Sequence, residues 1–201
     1  MDVYNKIFDE LITRDVKSIS MHSGSELLDG HKIKLDFFEK KVVVDLHKRG
    51  VSYLEKDSKG GSLKVGESLD MHSASLILHY LQNADGSPLT GRWIPYRELP
   101  GGLFYWQTIP GVLDTVVKKY ESNGAGFLKR AYEIGGQKYD RFKFASVIYP
   151  FKMFPILMIL EEKDSEFEAD ARVLFDSSAP HYLKTDVVKL IVVYMVNRLC
   201  R

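Results

Sequence analysis

The stretch LILHYLQNADGSPLTGRWIPYRELPGG, residues 76–102, carries the signals around which the fold of this 201-residue chain is organised. It begins within an apolar segment of helical spacing, continues through turn-forming residues at 83–88 and ends on Gly101 and Gly102. Trp93 and Tyr96 lie between the turn and the glycines. The stretch therefore predicts a buried helix, a turn, and a short extended segment that carries aromatic side chains.

The helix predicted over residues 73–83 has one polar stripe among apolar positions. The residues of this stripe are His72, Ser75, His79, Gln82 and Asn83. The stripe is either a solvated edge or the wall of a pocket, and the solvated interpretation is favoured because surface stripes outnumber sites. His72 and His79 stand about 10.5 Å apart along a straight helix, so the two side chains cannot bind one metal ion.

Charged residues flank the aromatic pair in the segment that follows. Pro95 favours an edge or irregular strand, since proline cannot donate to a strand ladder. An arginine beside exposed aromatic rings can hold an anion or a planar ring by hydrogen bonding and stacking. The same side chains can instead pack the loop, with Arg92 or Arg97 paired to Glu98, and this interpretation is favoured. The candidate ligand-binding residues are His79, Trp93, Tyr96, Arg97 and Glu98.

The rest of the chain predicts an α+β fold of a single domain, residues 1–201, with an antiparallel or mixed sheet flanked by helices. A helix capped by Asp2 and a meander of three strands occupy residues 1–55, and a flexible connector follows at 56–62. Further helices are expected at 110–121, at 126–134 and from about 186. Strands are expected at 142–149 and 154–160, and the second is apolar on both faces, as a central strand is.

An acidic segment at 161–170 leads into alternating polar and apolar residues. From Phe167 the alternation predicts one strand with a charged, wet face. Carboxylates two residues apart on that face stand near 7 Å, a spacing that suits a divalent cation or acid–base chemistry. A charged strand edge that blocks aggregation is the favoured alternative. The acidic cluster proposed as a candidate site consists of Asp164, Glu166 and Asp176.

Composition excludes several classes of protein. Lys and Arg number 28 against 27 Asp and Glu, and no basic run is interleaved with aromatics, so we expect no nucleic-acid partner. Cys200 is the only cysteine, which excludes an internal disulfide and a cysteine-built zinc or iron–sulfur site within one chain. The N-terminus lacks signal-peptide features and no apolar run is long enough to span a membrane. A cytoplasmic protein without a membrane partner is therefore expected.

Three segments together resemble the prokaryotic domain-of-unknown-function family numbered 3786. They are residues 76–102, the strand region 150–160 and EEKDSEFEADARVLFDSSAPHYLKTD at 161–186, and the resemblance is best over 76–190. The matching positions are His79, Tyr80, Leu81, Gly91, Trp93, Arg97, Glu98, Leu99, Pro100, Gly101, Gly102, Asp164, Glu166, Phe167, Leu174, Phe175 and Asp176.

The resemblance implies a metabolic setting, but it assigns no chemical reaction to the matching residues. Some relatives join this domain to a four-cysteine iron–sulfur segment similar to that of corrinoid proteins in anaerobic one-carbon metabolism. This chain lacks that segment, because it has a single cysteine. A link to corrinoids or clusters is therefore implied by association alone.

Two functional hypotheses follow. The favoured one is a non-catalytic module that binds a small molecule or a protein partner in anaerobic cofactor or one-carbon metabolism. We expect the polar stripe and the tryptophan-bearing loop to line one hollow. The alternative is a metal-dependent hydrolase that uses His79 with Asp164, Glu166 or Asp176. The residues specify neither a cofactor nor a catalytic set, and whether the chain is an enzyme stays open.

Overall fold

The computed structural model describes residues 3–56 and 63–201. Within these ranges the chain forms six α-helices and two antiparallel sheets of five strands each. The predicted α+β domain with an antiparallel or mixed sheet is therefore confirmed. The chain divides into two compact units: unit 1 comprises 1–88, 151–153 and 181–183, and unit 2 comprises 89–150, 154–180 and 184–201. No described helix combines the length and the apolar character that crossing a membrane requires.

Unit 1 contains three helices and a five-stranded meander. Its elements are α1 (Val3–Ile12), α2 (Val16–Ser23), β1 (Glu26–Asp29), β2 (Lys32–Phe37), β3 (Lys40–Asp45), β4 (Gly50–Lys56), β5 (Leu63–Ser68) and α3 (Met71–Asn83). The strands follow one another in space as they do in sequence. The predicted strands of the meander correspond to β2, β3 and β4, and the structure adds a strand on either side. Asp2 and most of the predicted connector lie outside the described residues.

The elements that the sequence did not predict in unit 1 have few buried apolar residues. Strands β1 and β5 are largely exposed, so they lack the alternation that identified their neighbours. Helix α2 was also not predicted, and it contains a single buried apolar residue, Ile19. Asp15 caps that helix by accepting hydrogen bonds from Lys17 and Ser18, and Gly24 ends it in the left-handed region.

Helix α3 supplies much of the core of unit 1, as predicted. Seven of its residues are buried, and the Tyr80 ring stacks on Phe151 with the ring centroids 4.1 Å apart. The Tyr80 hydroxyl donates to the Ser23 carbonyl at 2.6 Å and accepts from the Met153 amide at 3.3 Å. One buried hydroxyl therefore satisfies two backbone groups from separate segments of the unit.

Unit 2 contains the second sheet and the other three helices. Its elements are β6 (Trp93–Pro95), 3-10 turns at Tyr96–Glu98 and Gly102–Phe104, α4 (Thr108–Tyr120), α5 (Gly124–Glu133), β7 (Gln137–Lys138), β8 (Phe144–Phe151), β9 (Phe154–Glu161), β10 (Asp170–Asp176) and α6 (Thr185–Leu199). The strand order is β6-β10-β9-β8-β7. Strand β9 is central and buried on both faces, and β6 with its Pro95 is an edge strand, so both predictions are confirmed.

Replacing Tyr80 with phenylalanine tests the buried hydroxyl. The substitution leaves the Ser23 carbonyl and the Met153 amide without their partner, and we expect the free energy of unfolding to fall by about 1–3 kcal/mol. Urea denaturation followed by circular dichroism measures this. Tyr132→Phe is the matched control, because Tyr132 is 41% exposed, and it should change the free energy by less than about 0.5 kcal/mol. Equal effects of the two substitutions would contradict this role for Tyr80.

Candidate functional site

An apolar cavity of about 300 Å³ in unit 2 is the strongest candidate site. Its wall is built from the end of β6 and the turn after it, from the first turns of α4, and from β10. The apolar lining includes Pro95, Tyr96, Trp106, Ile109, Leu113 and Leu174. Four charged residues also line it: Arg97, Asp114, Asp170 and Arg172. Two of the candidate ligand-binding residues, Tyr96 and Arg97, therefore share one wall.

The charged residues of the cavity differ in their partners. Arg172 pairs with Glu161 and lies 3.8 Å from Asp170, so its charge is balanced within the sheet. Arg97 and Asp114 are exposed, and in the described part of the chain neither forms an ion pair. An arginine without a carboxylate partner retains all the donors of its planar guanidinium for an anion. Among the described residues, the cavity therefore combines an apolar wall with one arginine and one aspartate that form no ion pair.

Tyr96 is fixed by contacts on several sides. Its ring is 3% exposed and meets Phe175 edge-on at 6.1 Å, and its hydroxyl donates to the Thr185 carbonyl at 2.8 Å. Burial raises the pKa of Tyr96, and the nearby Asp186 carboxylate adds to the shift, so the phenol stays neutral at physiological pH. The backbone after this residue is equally constrained. Any Cβ at Gly102 would lie 2.1 Å from the Tyr96 carbonyl oxygen, which explains a glycine there.

The other candidate ligand-binding residues lie elsewhere. Trp93 packs against a buried cluster of Ala145, Val147, Leu157 and Ile159 and meets Tyr139 edge-on at 6.1 Å. Glu98 lies 3.8 Å from Arg92, which agrees with the packing interpretation of this loop. Neither Trp93 nor Glu98 lines the cavity.

His79 belongs to unit 1, where the polar stripe of α3 is bonded within that unit. Its Nδ1 lies 3.2 Å from the Gln82 amide oxygen, and the Asn83 amide donates to its carbonyl at 2.7 Å. Gln82 in turn donates to Glu10 of α1 at 2.6 Å. These contacts agree with the interpretation of the stripe as ordinary polar surface. A ligand role for His79, in a hollow shared with the tryptophan-bearing loop, stays a prediction.

Asp176 has a structural role, the binding of backbone amides, that the sequence did not predict. Its side chain accepts hydrogen bonds from the Thr90 amide at 3.0 Å, the Thr90 hydroxyl at 2.9 Å, the Gly91 amide at 2.7 Å and the Ser178 amide at 2.9 Å. Burial alone raises the pKa of Asp176, but these hydrogen bonds favour the ionised form more strongly, and the net effect lowers the pKa. The carboxylate therefore holds the backbone just before β6.

The strand predicted from Phe167 is wrong in its first residues. Strand β10 begins at Asp170, and Phe167 is 70% exposed in the preceding loop. The difference arises at Asp164. Its carboxylate accepts hydrogen bonds from the backbone amides of Glu166 and Phe167, each with a nitrogen–oxygen distance of 2.8 Å, and these bonds form a turn. These hydrogen bonds lower the pKa of Asp164.

The acidic residues do not form a metal site in the described part of the chain. No group of three or more His, Cys, Asp or Glu side chains there is arranged to hold an ion. Asp176 is buried and its oxygens already accept four hydrogen bonds, and Asp164 is occupied by its own turn. These contacts weigh against the metal-dependent hydrolase.

Sequence reasoning missed the α4 side of the cavity. Trp106, Ile109, Leu113 and Asp114 were not among the candidate residues, although they line it together with Tyr96. The available signal was the absence of charge: residues 99–113 contain no charged side chain in a chain that is 27% charged. Such a run is typical of either a buried segment or an interaction surface.

Comparison with known proteins gives one match. A family model described as Domain of unknown function (DUF3786) matches residues 15–198. No curated protein and no solved structure shows significant similarity to the chain.

Replacing Asp176 with asparagine tests its part in holding β6. An amide group would meet backbone donors where an oxygen now accepts, and we expect a loss of about 1–3 kcal/mol in the free energy of unfolding at pH 7. Because the folded-state pKa is lowered, the stability that the carboxylate contributes is present above a pH of about 4 and is lost as the pH falls below it. Urea denaturation at several pH values measures both effects.

The control for this experiment is Asp140→Asn. The Asp140 side chain is 80% exposed and pairs with Lys138 at 2.7 Å, so its removal should cost under about 1 kcal/mol. The difference in stability between the wild-type chain and Asp176→Asn should shrink as the pH falls. A difference that stays constant from neutral to acidic pH would show that ionisation of Asp176 does not stabilise the fold.

Proposed function

The chain belongs to the DUF3786 family, and from this premise we propose that it is a non-catalytic ligand-binding module of prokaryotic, anaerobic cofactor or one-carbon metabolism. One observation carries the binding function: the apolar cavity of unit 2 has on its wall the guanidinium of Arg97, which forms no ion pair with any residue that the structure describes. The metabolic setting rests on the resemblance of some relatives to corrinoid proteins.

The lining of the cavity favours binding over catalysis. Among the described residues that line it there is no serine, threonine, cysteine, histidine or lysine. These are the common nucleophiles and, with the carboxylates, the common proton-transfer groups of enzymes. The Tyr96 hydroxyl already donates to the Thr185 carbonyl, and Asp170 and Arg172 lie close enough to balance each other. Asp114 is the remaining carboxylate of the wall, and no described nucleophile lies beside it, which favours recognition over catalysis.

The geometry of the cavity supports one class of ligand. A cavity of about 300 Å³ is at the lower end of the range for small-molecule sites, so it suits one ring system or a fragment of a larger cofactor. Trp106, which is 40% exposed, offers aromatic surface, and Arg97 offers a planar cation. The best match is a molecule with a flat apolar part and a carboxylate or phosphate beside it.

Tryptophan fluorescence gives a direct test of ligand binding. The chain has two tryptophans, so Trp93→Phe leaves Trp106 as its single tryptophan. Trp106 lies on the cavity wall, and its fluorescence therefore reports on the cavity. We expect one member of a panel of corrinoids, nucleotides, flavins and aromatic carboxylates to change this fluorescence in a saturable way and to raise the melting temperature. Flat titrations and unchanged melting temperatures across the whole panel would exclude small-molecule binding at this cavity.

Arg97→Gln tests the recognition of the anion. Loss of a charge-assisted hydrogen bond should weaken binding of the ligand identified in that panel by roughly 10- to 100-fold, measured by calorimetry. Arg141→Gln is the matched control, because Arg141 is an exposed arginine of unit 2 that does not line the cavity. Equal affinities of Arg97→Gln and Arg141→Gln would show that Arg97 does not contact the ligand.

A further inference from the structure

Four consecutive apolar side chains are displayed on the surface of unit 2. Leu103 is 69% exposed, Phe104 86%, Tyr105 50% and Trp106 40%. Phenylalanine and leucine are usually buried, and exposed apolar groups usually occur singly. The four residues from Leu103 to Trp106 are called the aromatic patch below. A patch of this kind marks an interaction surface.

The backbone of the aromatic patch is held by regular hydrogen bonds. The Tyr105 and Trp106 amides donate to the Gly102 carbonyl at 3.1 and 2.9 Å. The Thr108 amide and hydroxyl donate to the Tyr105 carbonyl at 3.0 and 2.7 Å. The chain thus orders the backbone of these residues while leaving between 40% and 86% of each residue exposed, so the exposure is built into the local structure.

We propose that the aromatic patch is a dimerisation surface and that its partner is the same patch of a second copy of the chain. Aromatic side chains bury roughly 150–250 Å² each, so at these exposures the patch offers about 500 Å² per copy. Two copies together bury about 1,000 Å², the size at which a specific interface becomes credible. The patch is therefore large enough to form the centre of a symmetric dimer.

The charge pattern favours a second copy over a charged partner. Residues 99–113 contain no charged side chain. A two-fold axis places a surface against itself, so any charge near the axis meets its own like charge. A neutral patch avoids this repulsion, whereas it offers nothing to attract an acidic or basic partner. Aromatic rings also pair favourably with one another across such an axis.

Trp106 belongs to both the aromatic patch and the wall of the proposed ligand site. The dimer itself does not depend on ligand binding. The mass of the ligand-free chain and the affinity for a ligand are separate measurements, so failure of one proposal leaves the other standing.

Sedimentation equilibrium of the full chain tests the proposal. We expect reversible dimerisation of the wild-type chain over a range of about 1–200 µM, with Phe104→Ser weakening it by at least roughly 30-fold. Leu103→Ser should also weaken dimerisation. Phe167→Ser is the matched control, since Phe167 is an exposed phenylalanine of the same unit, 70% accessible and outside the patch, and it should leave the dimer unchanged.

Several outcomes would overturn the proposal. The wild-type chain could remain monomeric throughout the range, or Phe104→Ser and Phe167→Ser could weaken association equally. A monomeric chain that co-sediments with vesicles of neutral phospholipid through Phe104 would assign the patch to a lipid surface instead. Circular dichroism and melting temperatures of the variants must match those of the wild-type chain, and Leu103→Ser replaces Phe104→Ser if the latter fails to fold.

Discussion

The hydrogen bonds to the Asp176 carboxylate are the constraint on which the candidate site depends. Strand β6 is three residues long, lies at the sheet edge and, among the described strands, pairs with β10 alone. A ladder this short leaves an edge strand weakly held. Asp176 compensates by accepting hydrogen bonds from the backbone of Thr90 and Gly91, immediately before the strand. The positions of Tyr96 and Arg97, immediately after the strand, follow from that anchor.

The two surfaces described for unit 2 share a structural origin. The segment between β6 and α4 has to turn tightly, which Gly101, at φ 72°, and Gly102 make possible. The turn directs Tyr96 into the interior and leaves the aromatic patch outside. Trp106 lies where α4 begins and contributes to both surfaces. One short segment therefore builds a wall of the cavity and an apolar exterior.

Sequence patterns predicted the elements that bury apolar faces and failed for those that do not. Helix α3 and strand β9 were identified because their apolar residues define them, whereas the exposed β1 and β5 gave no signal. The same limit applies to the site. Tyr96 and Arg97 were identified within one stretch, but the partners of Asp176 lie 85 and 86 residues upstream, a pairing that no local spacing reveals.

Amide hydrogen exchange at Thr90 and Gly91 tests the Asp176 anchor most directly. Both amides belong to exposed loop residues, so without the carboxylate they would exchange quickly. At neutral pH we expect them to exchange at least roughly 100-fold more slowly than the exposed amide of Ser165, and to lose that protection in Asp176→Asn. Exchange of both amides at the rate of Ser165 in the wild-type chain would contradict the account.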